Sequence, residues 1–367
     1  MWRARHSSGF PILWGVRAGN AERRRKMKAA VFYGPHQPLA VKTVPDPEIG
    51  PDEVLVKVAA CGLCHTDLHY IDHDVPTAKK PPLILGHEVS GTIQEMGEAV
   101  RGFSLGEHVL VPAVFSCGRC RYCRQGRENI CENMTMPGNH VDGGYAELMA
   151  APAKDVLSLP DTLPLVDSCI IADALSTPYN AVKNRGKVRP GDRVAVFGCG
   201  GVGLNVVQIA AAAGAFVIAV DIAPDKLEAA EKLGASASVL GREGKETARE
   251  IRRLTGGGVD IAFEAIGNPP TIEQAFDSLA KGGRLVVVGY CRHPASINVS
   301  KLMFYEMEIV GSLGCHPLDY IPLIDMVARG TLQLSPLISH RVSLDQINEG
   351  LDYLRHGQGL RNIVVMD

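Results

Sequence analysis

Apolar and polar positions change rhythm along the chain near residue 175. Before that point, from Met27, short runs such as VLVKVAA (54–60), HEVSGTIQEMG (87–97) and EHVLVPA (107–113) stand between Gly and Pro. Their period is the short one of strands. Beyond it, RVAVFG (193–198) is an unbroken apolar strand and VGLNVVQIAAAAG (202–214) carries helical periodicity. FVIAVD (216–221), PDKLEAAEKLG (224–234), VDIAFEAIG (259–267), TIEQAFDSLAKGG (271–283), RLVVVGY (284–290) and EIVGSL (308–313) continue as strand, helix, strand, helix, strand, strand. Strands that are apolar throughout and alternate with helices predict a parallel sheet covered on both faces. Helices over 317–329 and 343–355 and a strand RNIVVM (361–366) form a tail expected to return to the first region. The chain therefore divides into 27–175 together with 314–367, and 176–313.

Composition narrows the class. A chain of 367 residues is too long for one small core, in keeping with two domains. Hydrophobic content of 46%, charged content of 21% and a net charge of −2 describe a globular protein without electrostatic reason to seek nucleic acid or an anionic membrane. The longest apolar run, IAAAAGAFVIAV (209–220), is too short to span a bilayer. It reads as a helix end, a turn at Gly214 and a buried strand. Residues 1–26 differ, with six Arg and one Lys against one Glu. They show neither an apolar h-region nor an amphipathic targeting pattern. They are read as an extension, expected to be disordered, before a start at Met27; an organellar transit peptide is the alternative. With no secretory signal read, a reducing, cytoplasmic compartment is expected, where thiols serve metals more often than disulfides.

Four of the ten cysteines crowd into CGRCRYCRQGRENIC (117–131). The spacing C-x2-C-x2-C-x7-C lets Cys117, Cys120, Cys123 and Cys131 converge on one ion as a tetrahedron. An iron–sulfur site would favour a shorter last gap followed by Pro, and disulfides between cysteines three apart would be strained. Arg119, Arg121 and Arg124 offset the thiolate charge. A structural zinc in a lobe over 112–133 is expected.

CGLCHTDLHY (61–70) and GHEVSG (86–91) supply a different set. Cys64, His87 and Glu88 mix soft, borderline and hard donors, as in zinc sites that keep one position open. VAVFGCGGVG (194–203) places Gly198, Gly200, Gly201 and Gly203 between a strand and a helix, the context a dinucleotide turn requires. Gly198 allows the turn, Gly200 lets backbone approach a pyrophosphate, and Gly203 lets helix pack on strand. Asp221, eighteen residues past Gly203, stands where an acid would hold ribose hydroxyls.

In this order, CGLCHTDLH, GHEVSGTIQEMG, CGRCRYCRQGRENIC and the glycine-rich turn resemble the zinc-dependent medium-chain alcohol dehydrogenase family over essentially all of 27–367. The resemblance implies an α/β fold: a strand-rich GroES-like catalytic domain plus a doubly wound parallel-sheet Rossmann domain. It implies an oxidoreductase interconverting an alcohol and an aldehyde or ketone by hydride transfer with NAD, with two zinc ions per subunit. Cys64 and His87 then match catalytic zinc ligands, with Glu88 as a neighbouring or exchanging ligand. Asp173, in CIIADALSTPYNA (169–181), stands where the family often has a Cys; Cys169, one turn earlier, is a rival. Thr66 matches the hydroxyl that touches the substrate oxygen, and His69 the outer end of a proton relay. His65 and Arg361 match pyrophosphate contacts, Lys226 a ribose contact, and Thr177 and Val288 neighbours of the nicotinamide. The short segment between Cys131 and Asp173 resembles a tetrameric branch, so a homo-oligomer is expected.

The substrate is a small alcohol or carbonyl compound. VPAVFSCGRC, MPGNHVDGGYAE and IIADALSTPYNAV are similar to dehydrogenases of hydroxycyclohexene-carbonyl-CoA, and the Asp173 carboxylate would suit a polyol or amino alcohol. A catalytically silent NAD-binding relative would have lost Cys64 or His87, and a zinc-free quinone reductase would lack the cysteine lobe.

Overall fold

The computed structural model describes residues 25–366, so residues 1–24 of the basic extension lie outside the described residues. Lys26 already belongs to a strand, Lys26–Phe32, in which it pairs with Pro45. Two large sheets organise the rest, in a GroES-like strand-rich part and a Rossmann-like parallel part.

The parallel sheet has six strands in the order Ala237–Leu240, Phe216–Asp221, Arg193–Phe197, Val259–Glu264, Leu279–Val287 and Glu308–Gly311. Its strands are apolar throughout because both faces are covered. Val194 and Val196 enter the core on one face, while Ala195 and Phe197 enter a second core on the other. The chain reverses its direction of travel across the sheet between Arg193–Phe197 and Val259–Glu264, which opens a crevice at their C-terminal ends.

The other large sheet is mainly antiparallel, in the order Ile338–Ser343, Arg361–Val365, Glu53–Leu63, Val89–Met96, His108–Val111 and Leu157–Ser158, with Leu148–Pro152 also paired to Glu53–Leu63. The last strand, Arg361–Val365, pairs antiparallel with Glu53–Leu63. Lys26–Phe32 joins Ala40–Pro45 and Leu83–Ile84 in a third, smaller sheet.

Some elements differ from the sequence pattern. The helix expected to reach residue 283 ends at Ser278. Leu279 instead pairs with Val259 and is wholly buried, and Gly282 takes a φ of 72°, so the chain has already turned into strand. The helix expected over 343–355 begins as a tight turn at Leu344–Gln346 and becomes α-helical only over Ile347–Arg355. The helices His65–Asp72 and Glu246–Thr255 and the strand Ile338–Ser343 had no predicted counterpart.

Candidate functional site

The strand Glu53–Leu63 runs directly into the helix His65–Asp72, and Cys64 is its N-cap. The Cys64 amide donates to Asp67 Oδ2 at 3.3 Å, which fixes the turn that presents the thiol. His87 and Glu88 lie just before the strand Val89–Met96 rather than within it. Sheet pairing sets Cys61 opposite Val89, and the Gly62 amide donates to the Glu88 carbonyl at 2.8 Å. A Cβ on Gly62 would sit 2.2 Å from Glu88 Oε2, so only glycine leaves room for that carboxylate. Asp173 follows the tight turn Asp167–Ala172.

One donor atom each from Cys64, His87, Glu88 and Asp173 lies within 4.8 Å of all the others. His87 Nε2 is 3.7 Å from Asp173 Oδ2. Both His87 nitrogens and Glu88 Oε2 are buried without a hydrogen-bond partner, a condition rare and costly for polar atoms. Burial opposes ionisation of Asp173, yet His87 and the Thr177 hydroxyl, which donates to Asp173 Oδ1 at 2.5 Å, hold its pKa below the usual carboxylate range. Free lone pairs, clustered anionic groups and a thiol–imidazole–carboxylate donor set fit a zinc ion.

Surrounding groups hold these donors in place. Arg361 Nη2 donates to Glu88 Oε1 at 2.8 Å, and its Nη1 to the Leu63 carbonyl at 3.2 Å. Burial nonetheless pushes the Glu88 carboxyl up to about 7. Asp67, which the sequence reading missed, is wholly buried, accepts the Tyr145 hydroxyl at 2.7 Å and lies 3.9 Å from His87 Nδ1. Its position three residues after Cys64, the capping-box place, was the available signal. Also missed was Tyr320, which donates to the Ala172 carbonyl at 2.7 Å and thereby ties down the segment that carries Asp173. Cys169 is wholly buried and stays outside the donor group, its thiol pushed up by burial.

In the lobe, Cys120 Sγ lies 3.5 Å from Cys123 Sγ and 3.9 Å from Cys131 Sγ, and Cys117 Sγ lies 4.0 Å from Cys123 Sγ. Amides of Cys117 and Asn133 each donate to Cys131 Sγ at 3.3 Å. Backbone amides of Arg119 and Cys120 lower the Cys117 thiol to about 6. Four converging thiols with a thiolate-stabilising backbone fit a second zinc ion, closed on all sides by sulfur.

The glycine turn follows the strand Arg193–Phe197 and opens the helix Gly201–Ala212. A Cβ on Gly203 would fall 1.6 Å from the Gly198 carbonyl, whereas one on Gly200 would meet open space, where a ligand can approach backbone. A Cβ on Gly201 would lie 3.5 Å from Arg361 Nε, so the arginine stands between this helix start and Glu88. Asp221 accepts from the Cys199 amide at 2.7 Å and the Ala223 amide at 3.0 Å, beside the same turn. His65 has surface open to solvent, but desolvation, then Arg361 and then His69 lower its pKa to about 4; Lys226 acts on it in the same sense. Val288 donates its amide to the Glu264 carbonyl at 2.9 Å and is partly buried against the core. Thr66 Oγ1 lies 3.6 Å from Cys64 Sγ. His69 is turned elsewhere, with Nδ1 3.1 Å from His73 Nδ1 and its ring 5.0 Å from that of Tyr290.

Two family models match the chain: an alcohol dehydrogenase GroES-like domain over residues 50–161 and a zinc-binding dehydrogenase over 201–329. The chain is 38% identical to an alcohol dehydrogenase of Geobacillus stearothermophilus over 90% of its own length and 96% of that protein. It is 34% identical to a sorbitol dehydrogenase of Bacillus subtilis (strain 168), covering 89% and 93% of the two chains. A protein from Sinorhizobium meliloti 1021 solved with NADP bound superposes with a TM-score of 0.83 at 32% identity, covering 93% of this chain and 99% of that one.

Proposed function

Because the chain belongs to the zinc-dependent medium-chain alcohol dehydrogenase family and interconverts alcohol and carbonyl groups, we propose that NAD is its cofactor and that Cys64, His87 and Asp173 hold its catalytic zinc. The observation that carries this reading is the buried group of four donors with unpartnered lone pairs next to the glycine turn. Bound there, zinc would supply a Lewis acid for the substrate oxygen, and a nicotinamide cofactor would supply the hydride chemistry.

The chain's own residues do the remaining work. Thr66, two residues after Cys64, offers a hydroxyl that both accepts and donates, so it passes the substrate proton outward. His69 collects that proton toward solvent. Glu88 is a neighbouring or exchanging ligand, restrained by Arg361. His65, Arg361 and the start of the helix Gly201–Ala212 receive the pyrophosphate. Asp221 and Lys226 receive the ribose, and Thr177 and Val288 flank the nicotinamide. Cys117, Cys120, Cys123 and Cys131 hold a second, structural zinc. Native mass measurement should find two zinc ions per subunit; one would overturn the pair.

Asp221 favours NAD over NADP, because its carboxylate would meet the 2′-phosphate of NADP with like charge, and Ile222 and Ala223 bring no guanidinium to offset it. Comparison of kcat/KM with the two cofactors tests this. Equal efficiency would overturn it, and Asp221→Ser should narrow the preference.

The similarity to a sorbitol dehydrogenase, together with the Asp173 carboxylate, favours a polyol or amino alcohol as a second reading of the substrate. Rates on simple alcohols, polyols and cyclic hydroxyacyl thioesters distinguish these classes from the CoA thioester.

A division into 27–175 with 314–367 and 176–313 is part of the same reading, and the pairing of Arg361–Val365 with Glu53–Leu63 supports it. A homo-oligomer, with a tetramer favoured, is supported by exposed Met303, Phe304, Leu313, Leu318 and Ile321 near the edge strand Glu308–Gly311. A reducing, cytoplasmic setting is supported by ten free cysteines. No helix among the described residues is long and apolar enough to cross a membrane.

A further inference from the structure

His69 lies in the last turn of the helix His65–Asp72 and His73 caps that helix, its amide donating to the His69 carbonyl at 3.3 Å, so the two residues, four apart, are neighbours. Their Nδ1 atoms are 3.1 Å apart. Two nitrogens each about 2.0–2.1 Å from one ion lie about 2.9–3.4 Å from each other, so the separation falls within the bite of a chelate. As a hydrogen bond the same contact holds a single proton, since two N–H groups cannot face each other there.

We propose that His69 and His73 form a third metal site, a two-imidazole clasp for a borderline divalent ion such as Zn²⁺. Imidazole suits such ions, and paired histidines four apart on a helix present their rings to a common point. The site is open to entry, because His73 is exposed and His69 half-exposed. Tyr290 packs on the His69 ring, with centroids 5.0 Å apart, and limits its rotation. The neighbouring carboxylates are already engaged, Asp72 with Arg355 at 2.7 Å and Asp74 with His36 at 3.0 Å. The two imidazoles are therefore the groups left to grip an ion, with water completing its shell. The location is distinct from the four-donor group and from the cysteine lobe.

One consequence rests on the function proposed above: an ion on His69 Nδ1 occupies the group assigned to collect the substrate proton, so added metal should slow alcohol oxidation.

The test uses zinc-replete enzyme titrated with Zn²⁺ alone, so that exchange at the other sites changes nothing. Equilibrium dialysis should find one additional ion per subunit in the wild type. His73→Gln, which alters no residue of the proposed catalytic or cofactor site, should bind it at least about tenfold more weakly, since losing a direct ligand costs no less than losing an outer-shell partner. Assayed well above pH 6.5, where His69 is neutral with or without His73 beside it, the variant should keep its turnover without added metal and resist the slowing by a similar factor. An additional ion bound equally by His73→Gln, or no additional ion in the wild type, would overturn the site. Binding without slowing would uphold the site and count against His69 as the proton acceptor, so the two failures read apart.

Discussion

The two groups proposed to hold metal are built in opposite ways. The lobe takes four identical donors from residues 117–131, and amides of the same loop brace them. The cleft takes four donors of three kinds from residues 64, 87, 88 and 173, which only the sheet pairing and the turn at Asp167–Ala172 bring together. The local group supplies everything its ion needs, so it can close. The cleft group depends on distant partners, Asp67 with Tyr145 and Arg361 with Glu88, and retains buried lone pairs without partners. A closed sulfur shell serves folding, whereas a mixed shell with spare valence serves exchange with a substrate.

The sharpest way to break this contrast is to remove a donor from the cleft. Asp173→Ala should lower kcat/KM on the order of 10³-fold, the equivalent of losing several kcal/mol of Lewis-acid stabilisation. Its lobe zinc and its melting temperature should remain close to wild type, as metal analysis and calorimetry would show. Activity within tenfold of wild type (about 1.4 kcal/mol) would mean that another donor completes the shell.

Chelation sharpens the contrast without mutation. A mild chelator should remove about one equivalent of zinc together with the activity, while circular dichroism stays native, because four thiolates in a closed loop hold more firmly than a mixed open set. Loss of both ions in one step, with unfolding, would erase the distinction.

A smaller effect is expected at the proposed proton path through Thr66 and His69. Thr66→Ala should be the more severe change there and resist rescue, because it removes the hydroxyl proposed to touch the substrate oxygen. His69→Gln should slow alcohol oxidation toward the low end of the ~10²–10⁴-fold range for positioned acid–base groups, most strongly at low pH, and imidazole buffer should partly restore it. Desolvation and His73 lower the His69 pKa from its ordinary 6.5. The wild-type imidazole therefore stays neutral, and able to accept a proton, as pH falls through 6.5, and wild-type oxidation should decline only below that point. An unchanged pH–rate profile in His69→Gln, with hydride transfer limiting, would remove His69 from the path.

The least change in turnover belongs to the lobe. Cys123→Ser should lose the lobe zinc and lower the melting temperature, yet leave kcat near wild type at temperatures where the variant is folded. A kcat loss as large as that of Asp173→Ala would show that the lobe takes part in the chemistry.

How much of this was legible depends on distance along the chain. The lobe was readable from spacing, because its donors lie within a few residues of each other and the chain cannot separate them far. The glycine turn was readable for the same reason, and so was the parallel sheet, whose apolar strands announce that both faces are covered. The end of the helix at Ser278 was not, because Leu279 suits a helix as well as a strand until Val259 pairs with it. Ile338–Ser343 is a short mixed segment, recruited as a strand by Arg361–Val365.

The sequence by itself determined which donors exist and which of them must be close: four thiols in one loop, a thiol two residues from a hydroxyl, glycines between a strand and a helix. Only the tertiary structure decided that Asp173 rather than Cys169 joins Cys64, His87 and Glu88, that Asp67 and Tyr145 stand behind His87, and that Arg361 meets Glu88. The physical reason is that spacing constrains groups within a turn or two, whereas beyond that range position follows from sheet register and core packing, which every strand and helix sets jointly.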